Sequence, residues 1–175
     1  MNKSMKSVIV LTIICIVVGA LLAVTNYVTA PIITEANRKK ALESCFVVMK
    51  EATDFEEVNI EELEVPSTIT NIYKEKDGKG YVFRMVTTGY KSGLVIMCGI
   101  DNSGKITGVT TISSEETVNI GKRTEDEEYE AQYIGKDQSL KGVEGLSGAT
   151  ITSNAYKKAV QDAFHAYNVV KGGNK

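Results

Sequence analysis

The sequence predicts an α+β protein: an N-terminal transmembrane helix followed by one soluble domain in which a twisted antiparallel sheet is flanked by helices. Three observations carry that prediction. No charged side chain occurs between Ser7 and Thr34. From Ser67 the apolar pattern repeats at every second residue and is punctuated by "DGKG" and "DNSG". Near the C-terminus, Ala155, Ala159, Val160, Ala163, Phe164 and Tyr167 form one stripe at helical spacing. A chain of 175 residues has room for one membrane segment and one core-bearing domain, not for two such domains. The expected segments are a short cytoplasmic piece at 1–6, the transmembrane helix at 7–30, a helical and acidic connecting segment at 31–66, the sheet domain at 67–171 and a tail at 172–175.

The stretch "SVIVLTIICIVVGALLAVTNYV" is dominated by Val, Ile, Leu and Ala, and about 20 apolar residues suffice to cross the hydrocarbon core as a helix. A cleaved signal peptide competes, because Lys3 and Lys6 precede the run and "VTA" ends it. The length of the run and Pro31 directly after Ala30 favour an uncleaved anchor. Lys3 and Lys6 on one side are opposed by Arg38, Lys39 and Lys40 on the other, so positive charge alone does not orient the span. An anchor this near the N-terminus favours a cytoplasmic N-terminus, with the C-terminal domain outside the cytoplasm, on a single-pass protein of the cell (inner) membrane.

After Pro31, Thr34 is a candidate cap for a helix whose apolar positions are Ala36, Leu42, Phe46 and Met49, expected to continue from the membrane into the soluble domain. Residues 51–64 hold seven acids and no base, which reads as a solvated connection. Two strands around "DGKG" and two more around "DNSG" then form an antiparallel meander with one buried face. The polar stretch from Glu115 to Gly142 gives few strand or helix cues, and a loop of that length inside a compact domain tends to be functional.

The formal charge of −2 sets aside nucleic-acid binding by bulk electrostatics. Cys15, Cys45 and Cys98 lack the close spacing of zinc or iron–sulfur ligands, so no metal site is expected, and Cys15 in the apolar run and Cys98 in a predicted strand read as small buried hydrophobes. The sequence leaves a Cys45–Cys98 disulfide open. His165 reads as a surface or boundary residue, and Tyr90 and Tyr133 as partial core residues more than as platforms for a ring.

The most informative stretch is "VEGLSGATITSNAYKKAV", residues 143–160. Ser147, Gly148 and Ala149 let the backbone approach a ligand closely, while the unpaired amides and positive dipole end of the helix that follows favour a phosphate. Thr152 or Ser153 is a candidate cap for that helix. On these grounds alone, an ordinary capped turn and an anion site both stand.

"GLSGATITS" resembles the flavinylation motif of the FMN-binding domain family, and the order of "GYKSGLVIMCGID", "GKITGVTTISSEET", "AQYIGK" and "SGATITS" behind an N-terminal anchor extends the likeness over nearly the whole chain. It is that of the G subunits of Rnf ion-translocating electron transport complexes, with the C subunit of the sodium-translocating NADH:quinone reductase as a more distant relative. The resemblance implies FMN held through a phosphoester on Thr150 and attached by a flavin transferase. It also implies contacts from Ser147, Gly148, Ala149 and Thr152 around the turn, and from Glu116, Thr117, Ile120 and Gly121 in the loop after the sheet. The implied role is that of an electron carrier, without catalytic residues of its own, in an oxidoreductase complex that couples ferredoxin oxidation and NAD reduction to sodium or proton translocation. Its partners would be the other Rnf subunits, especially the membrane flavoprotein D subunit. Two departures are visible: Glu144 stands where the family usually has Asp, and Val118 and Asn119 stand where its loop has Pro and Gly. They keep a different class in view, a membrane-anchored assembly or binding module without covalent flavin.

Overall fold

The computed structural model describes residues 3–172. The chain divides into two compact units, residues 1–41 and 42–175, and the first helix, α1 (Lys3–Val48), begins in one and ends in the other. From Val8 to Val28 its large apolar side chains are exposed, so the helix is long and apolar enough to cross a membrane. Along this helix the hydroxyls of Thr12, Thr25 and Thr29 donate to the carbonyls four residues back at 2.8–2.9 Å, which satisfies them without water. Thr34, a candidate cap, does the same to Ala30 at 2.9 Å, and the expected continuation of the membrane helix is what forms. The helix runs on through Pro31, so Thr34 lies in its interior and caps nothing.

The second unit is built on a five-stranded antiparallel sheet in the order β1 (Phe55–Val58), β2 (Ile69–Glu75), β3 (Gly80–Thr88), β4 (Ser92–Asp101) and β5 (Ile106–Ser113). The expected α+β class is borne out, and the expected meander supplies β2 to β5. β1 is an addition: it lies inside the acid-rich stretch read as a connection, where Glu56 and Glu57 point to solvent and Phe55 is buried. Turn chemistry fixes the hairpins. Gly78 and Gly104 take φ of 75° and 76°, and the Asp101 carboxylate accepts the amides of Ser103 and Lys105 at 2.8 and 2.9 Å.

A one-faced sheet is not what forms. Leu94 to Ile100 are buried without interruption, because β4 is covered on both sides. One side carries Leu94, Ile96, Cys98 and Ile100 against helix α3 (Thr150–Gly172), which contributes Tyr156, Val160, Ala163, Phe164 and Tyr167 to the same core. Each large apolar side chain buried there stabilises by about 1.5 to 3 kcal/mol relative to exposure. On the other side, Gly99 and Gly108 face each other across β4 and β5 and form a notch for the end of α1. The Val48 carbonyl enters it and accepts the Thr107 hydroxyl at 2.7 Å. A Cβ on Gly108 would meet that oxygen at 2.7 Å. The outer edge of β5 is closed by backbone bonds between Ile106 and residues 135–136 at 2.8–2.9 Å. Closure continues at Glu130 of the short helix α2 (Glu127–Ala131), which accepts the Thr111 amide at 2.6 Å. Covering an edge in this way blocks pairing with another chain.

The three cysteines are free, Cys15 exposed and Cys45 and Cys98 buried. Cys98 is the buried residue expected, and burial pushes its thiol far above its ordinary value; Cys15, also expected to be buried, is exposed because α1 packs against nothing there among the described residues. His165 lies on the exposed side of α3.

Candidate functional site

Three loops meet at one end of the sheet: the turn between β3 and β4, the loop after β5, and the turn that starts α3. The last is the simplest to derive. The Ala149 amide donates to the Leu146 carbonyl at 3.0 Å, closing a four-residue turn whose third member, Gly148, has φ of 81°. A type II turn demands a positive φ at that position, and glycine meets the demand without strain. The helix then begins at Thr150 itself. Thr152 and Ser153, expected as caps, therefore fall inside the first turn, where both are buried. The Ser153 hydroxyl donates back to the Ala149 carbonyl at 3.0 Å. Thr150 is exposed, at a helix start whose first-turn amides have no partner within the helix.

The loop after β5 closes a turn without the Pro and Gly of the resembled motif. The Ile120 amide donates to the Thr117 carbonyl at 3.2 Å, and Asn119, where the resembled motif has glycine, takes φ of 61°. Asn is among the few non-glycine residues that visit this left-handed region routinely. Losing the Pro-Gly pair therefore leaves the turn standing. Gly121 then opens a single helical turn, Gly121–Glu125.

Between these loops lies an open cleft of about 530 Å³, lined by Tyr90, Glu116, Thr117, Ile120, Gly121, Gly148, Ala149, Thr150, Ile151 and Thr152. Glu116, Thr117, Ile120, Gly121, Gly148, Ala149, Thr150 and Thr152 were legible as candidates from the sequence. Ser147 and Glu144 are exposed and do not line the cleft; the Glu144 amide instead donates to Gln132 at 3.0 Å. Tyr90 and Ile151 were missed as site residues. Tyr90, read as partial core, is 69% exposed at the cleft mouth, and the "TGY" turn that presents it was the available signal. Tyr133 is core, with its ring edge-on to Tyr129 and its hydroxyl 3.1 Å from that of Tyr129. Burial pushes both phenols up, and Tyr129 also reaches the Ser153 carbonyl at 3.4 Å, supporting the start of α3 from below.

At the cleft wall, Glu116 is buried to 3% exposure. Its Oε1 accepts the Lys91 amide at 3.0 Å, whereas no donor among the described residues reaches its Oε2. A buried acceptor left unmet costs about 1 to 3 kcal/mol. Glycine backbones close in on the same carboxylate: a Cβ at Gly89 would lie 2.3 Å from Oε1, and one at Gly121 would lie 2.6 Å from Oε2. The arrangement suits a ligand with three parts. An anionic group fits the start of α3, a hydrogen-bond donor fits Glu116, and a flat apolar portion fits Tyr90, Ile120 and Ile151, each about half exposed or more. FMN has those three parts, so the residues present fit it.

Comparison with known proteins agrees with this description. Residues 89–165 match the FMN-binding domain and residues 1–47 match the RnfG N-terminal region. The C-terminal part of the chain is thus similar to an FMN-binding domain and its N-terminal part to the start of RnfG proteins. Over nearly its full length it is similar to two known proteins. The first is the G subunit of the Na(+)-translocating ferredoxin:NAD(+) oxidoreductase complex of Acetobacterium woodii, 29% identical, covering 91% of this chain and 89% of that one. The second is the G subunit of the proton-translocating ferredoxin:NAD(+) oxidoreductase complex of Clostridium ljungdahlii, 24% identical, covering 93% and 91%. A third, the G subunit of an ion-translocating oxidoreductase complex of Shewanella baltica, is 31% identical over 46% of this chain and 44% of that protein.

Proposed function

We propose that this protein is the FMN-carrying G-type subunit of an ion-translocating ferredoxin:NAD oxidoreductase of the Rnf type, with FMN joined covalently to Thr150. The observation that carries the reading is the cleft itself. An exposed threonine hydroxyl at a helix start opens onto a buried acceptor and an apolar mouth, in a chain whose relatives are G subunits of such complexes. Ester formation joins Thr150 Oγ to the flavin phosphate with net loss of one water, a step assigned to a flavin transferase. Bound flavin supplies electron transfer through its ring, while the protein supplies position and electrostatics. Tyr90, Ile120 and Ile151 leave one side of the cleft open to solvent and to a partner, for which the membrane flavoprotein D subunit is the proposed candidate. A covalent tether is what such an open site needs, since contacts alone hold a ligand weakly where water competes. In this reading α1 anchors the protein in the cell membrane, with its N-terminus cytoplasmic and residues 42–172 outside.

The test is the intact mass of the denatured full-length chain from cells that express a flavin transferase. The expected result is an addition of one FMN less one water on the peptide containing Thr150, and none in Thr150→Ala, whose far-ultraviolet spectrum and yield stay those of the wild type. Flavin that survives denaturation in Thr150→Ala would move the attachment elsewhere. An unmodified wild-type chain would leave the assembly-module reading in its place.

A further inference from the structure

Beneath the start of α3 lies a cluster that the functional reading leaves unused. Tyr129, Tyr133 and Tyr156 are each 3% exposed or less, and their ring centroids lie 5.5 to 5.7 Å apart. The cluster approaches the cleft along α3: Thr152 lines the cleft, and Tyr156 follows it by four residues, on the same side of the helix and one turn further in. Buried phenols are ordinarily packing groups with a polar handle, and two of these fit that description. The Tyr133 hydroxyl is 3.1 Å from that of Tyr129, which also reaches the Ser153 carbonyl at 3.4 Å. Tyr156 differs. Its hydroxyl donates to Oε1 of Glu130 at 3.4 Å, so of the three it alone bonds to a carboxylate.

That pairing has a chemical consequence. Burial and the Glu130 charge hold the Tyr156 phenol well above its ordinary value, so it does not ionise by itself. A phenol that has lost one electron is, by contrast, a strong acid, and a base within hydrogen-bond reach takes its proton. Glu130 is placed to be that base. Burial raises its carboxyl, and the Thr111 amide fixes its Oε1 at 2.6 Å.

We propose that Tyr156 and Glu130 form a proton-coupled electron donor that discharges the light-excited flavin of this open cleft. Tyr156 gives one electron to the excited ring and its phenolic proton to Glu130: one O–H bond breaks on Tyr156 and one forms on the carboxylate, while tyrosine is oxidised and flavin reduced by one electron each. Return of the electron and the proton restores all three groups, and the excitation leaves as heat. This donor presupposes the flavin reading above and adds protection to it, because a ring tethered in a site open to water otherwise stays excited long enough to react with what surrounds it.

The full-length, flavin-loaded protein is prepared with Tyr90→Phe throughout, since Tyr90 stands exposed at the cleft mouth and would itself donate. Illumination during freezing is expected to trap a tyrosyl radical, read by electron paramagnetic resonance. Tyr156→Phe is expected to abolish that signal and to lengthen the excited-state lifetime of the flavin, whereas Tyr133→Phe keeps both. Glu130→Gln, which removes the base but not the phenol, is expected to slow radical formation by on the order of a hundredfold in transient absorption. Deuterated water is expected to slow it in the protein that retains Glu130. No radical from loaded protein, an undiminished signal in Tyr156→Phe, or a formation rate indifferent both to Glu130→Gln and to deuterated water would each overturn the donor. Should Tyr156→Phe fail to fold, 3-fluorotyrosine placed at position 156 takes over the test. Fluorine splitting of the radical signal then supports the assignment, and its absence overturns it. A wild-type chain that carries no flavin would instead overturn the functional reading and this inference with it, a result that the mass measurement separates from all of the others.

Discussion

Asn119 shows how a departure from a familiar pattern can be silent in the fold. Its φ of 61° places it where most side chains suffer a clash between Cβ and the following carbonyl. Asn tolerates the region, Gly is at home there, and β-branched residues are not. Asn119→Gly is therefore expected to leave stability unchanged or to raise it slightly. Asn119→Val is expected to cost about 1 to 2 kcal/mol, to open the turn closed by Ile120 and Thr117, and to disturb Gly121 and Glu116 beside it. Chemical denaturation of both variants, with flavin content measured alongside, checks the ordering. Asn119→Val matching the wild type in both would mean that the loop does not depend on this backbone conformation. The same residue-scale logic explains why Gly148 was informative in the sequence: small residues before a helix mark a turn, and the positive φ there supplies the reason.

At the level of elements, much of the architecture was readable because local chemistry and tertiary packing agree. The period of two, the "DGKG" and "DNSG" turns and the stripe of α3 all locate what they announce. What stayed hidden depends on distant partners. Strand β1 looks like solvated chain, since its two glutamates face water and only its pairing with β2 makes it a strand. Helix α2 is five residues long and is held by tertiary contacts of Tyr129 and Glu130 rather than by its own propensity. The second covered face of β4 is announced only by Gly99 and Gly108, whose meaning requires knowing that a helix end arrives there. For the candidate site, the motif marked the turn and the start of α3, while Tyr90 waited on the fold to bring the β3–β4 turn across. The glycine notch yields its own prediction. In Gly108→Ala the new Cβ meets backbone atoms of Val48 at 2.7 to 3.1 Å, which no rotamer relieves. The expected cost is about 1 to 3 kcal/mol, read as a lower denaturation midpoint at unchanged flavin content, because the notch lies on the opposite side of the sheet from α3. Wild-type stability in that variant would show that the end of α1 shifts without penalty.

For the whole molecule, the two units divide the work between two solvents. Residues 8–28 expose apolar side chains that only a lipid phase accommodates, whereas the contacts that fold the second unit are internal to residues 42–172. Those contacts begin with Cys45, Val48 and Met49, all buried, and end with Val170 at the far end of α3. A cut near Ala41 therefore removes none of the core, but a cut after Glu51 removes the Val48 carbonyl from its notch and the hydroxyl bond from Thr107. With a site-specific protease sequence inserted at the Ala41–Leu42 junction, cleavage of sealed right-side-out vesicles is expected to release a soluble fragment that keeps its flavin and unfolds in one cooperative transition. The same sequence inserted after Glu51 is expected to release a fragment that unfolds at a lower denaturant concentration, because its sheet has lost one cover. Cleavage only in inverted vesicles would reverse the proposed orientation while leaving the fold argument intact. A fragment cut at residue 41 that precipitates would instead mean that the second unit depends on the first for more than attachment to the membrane.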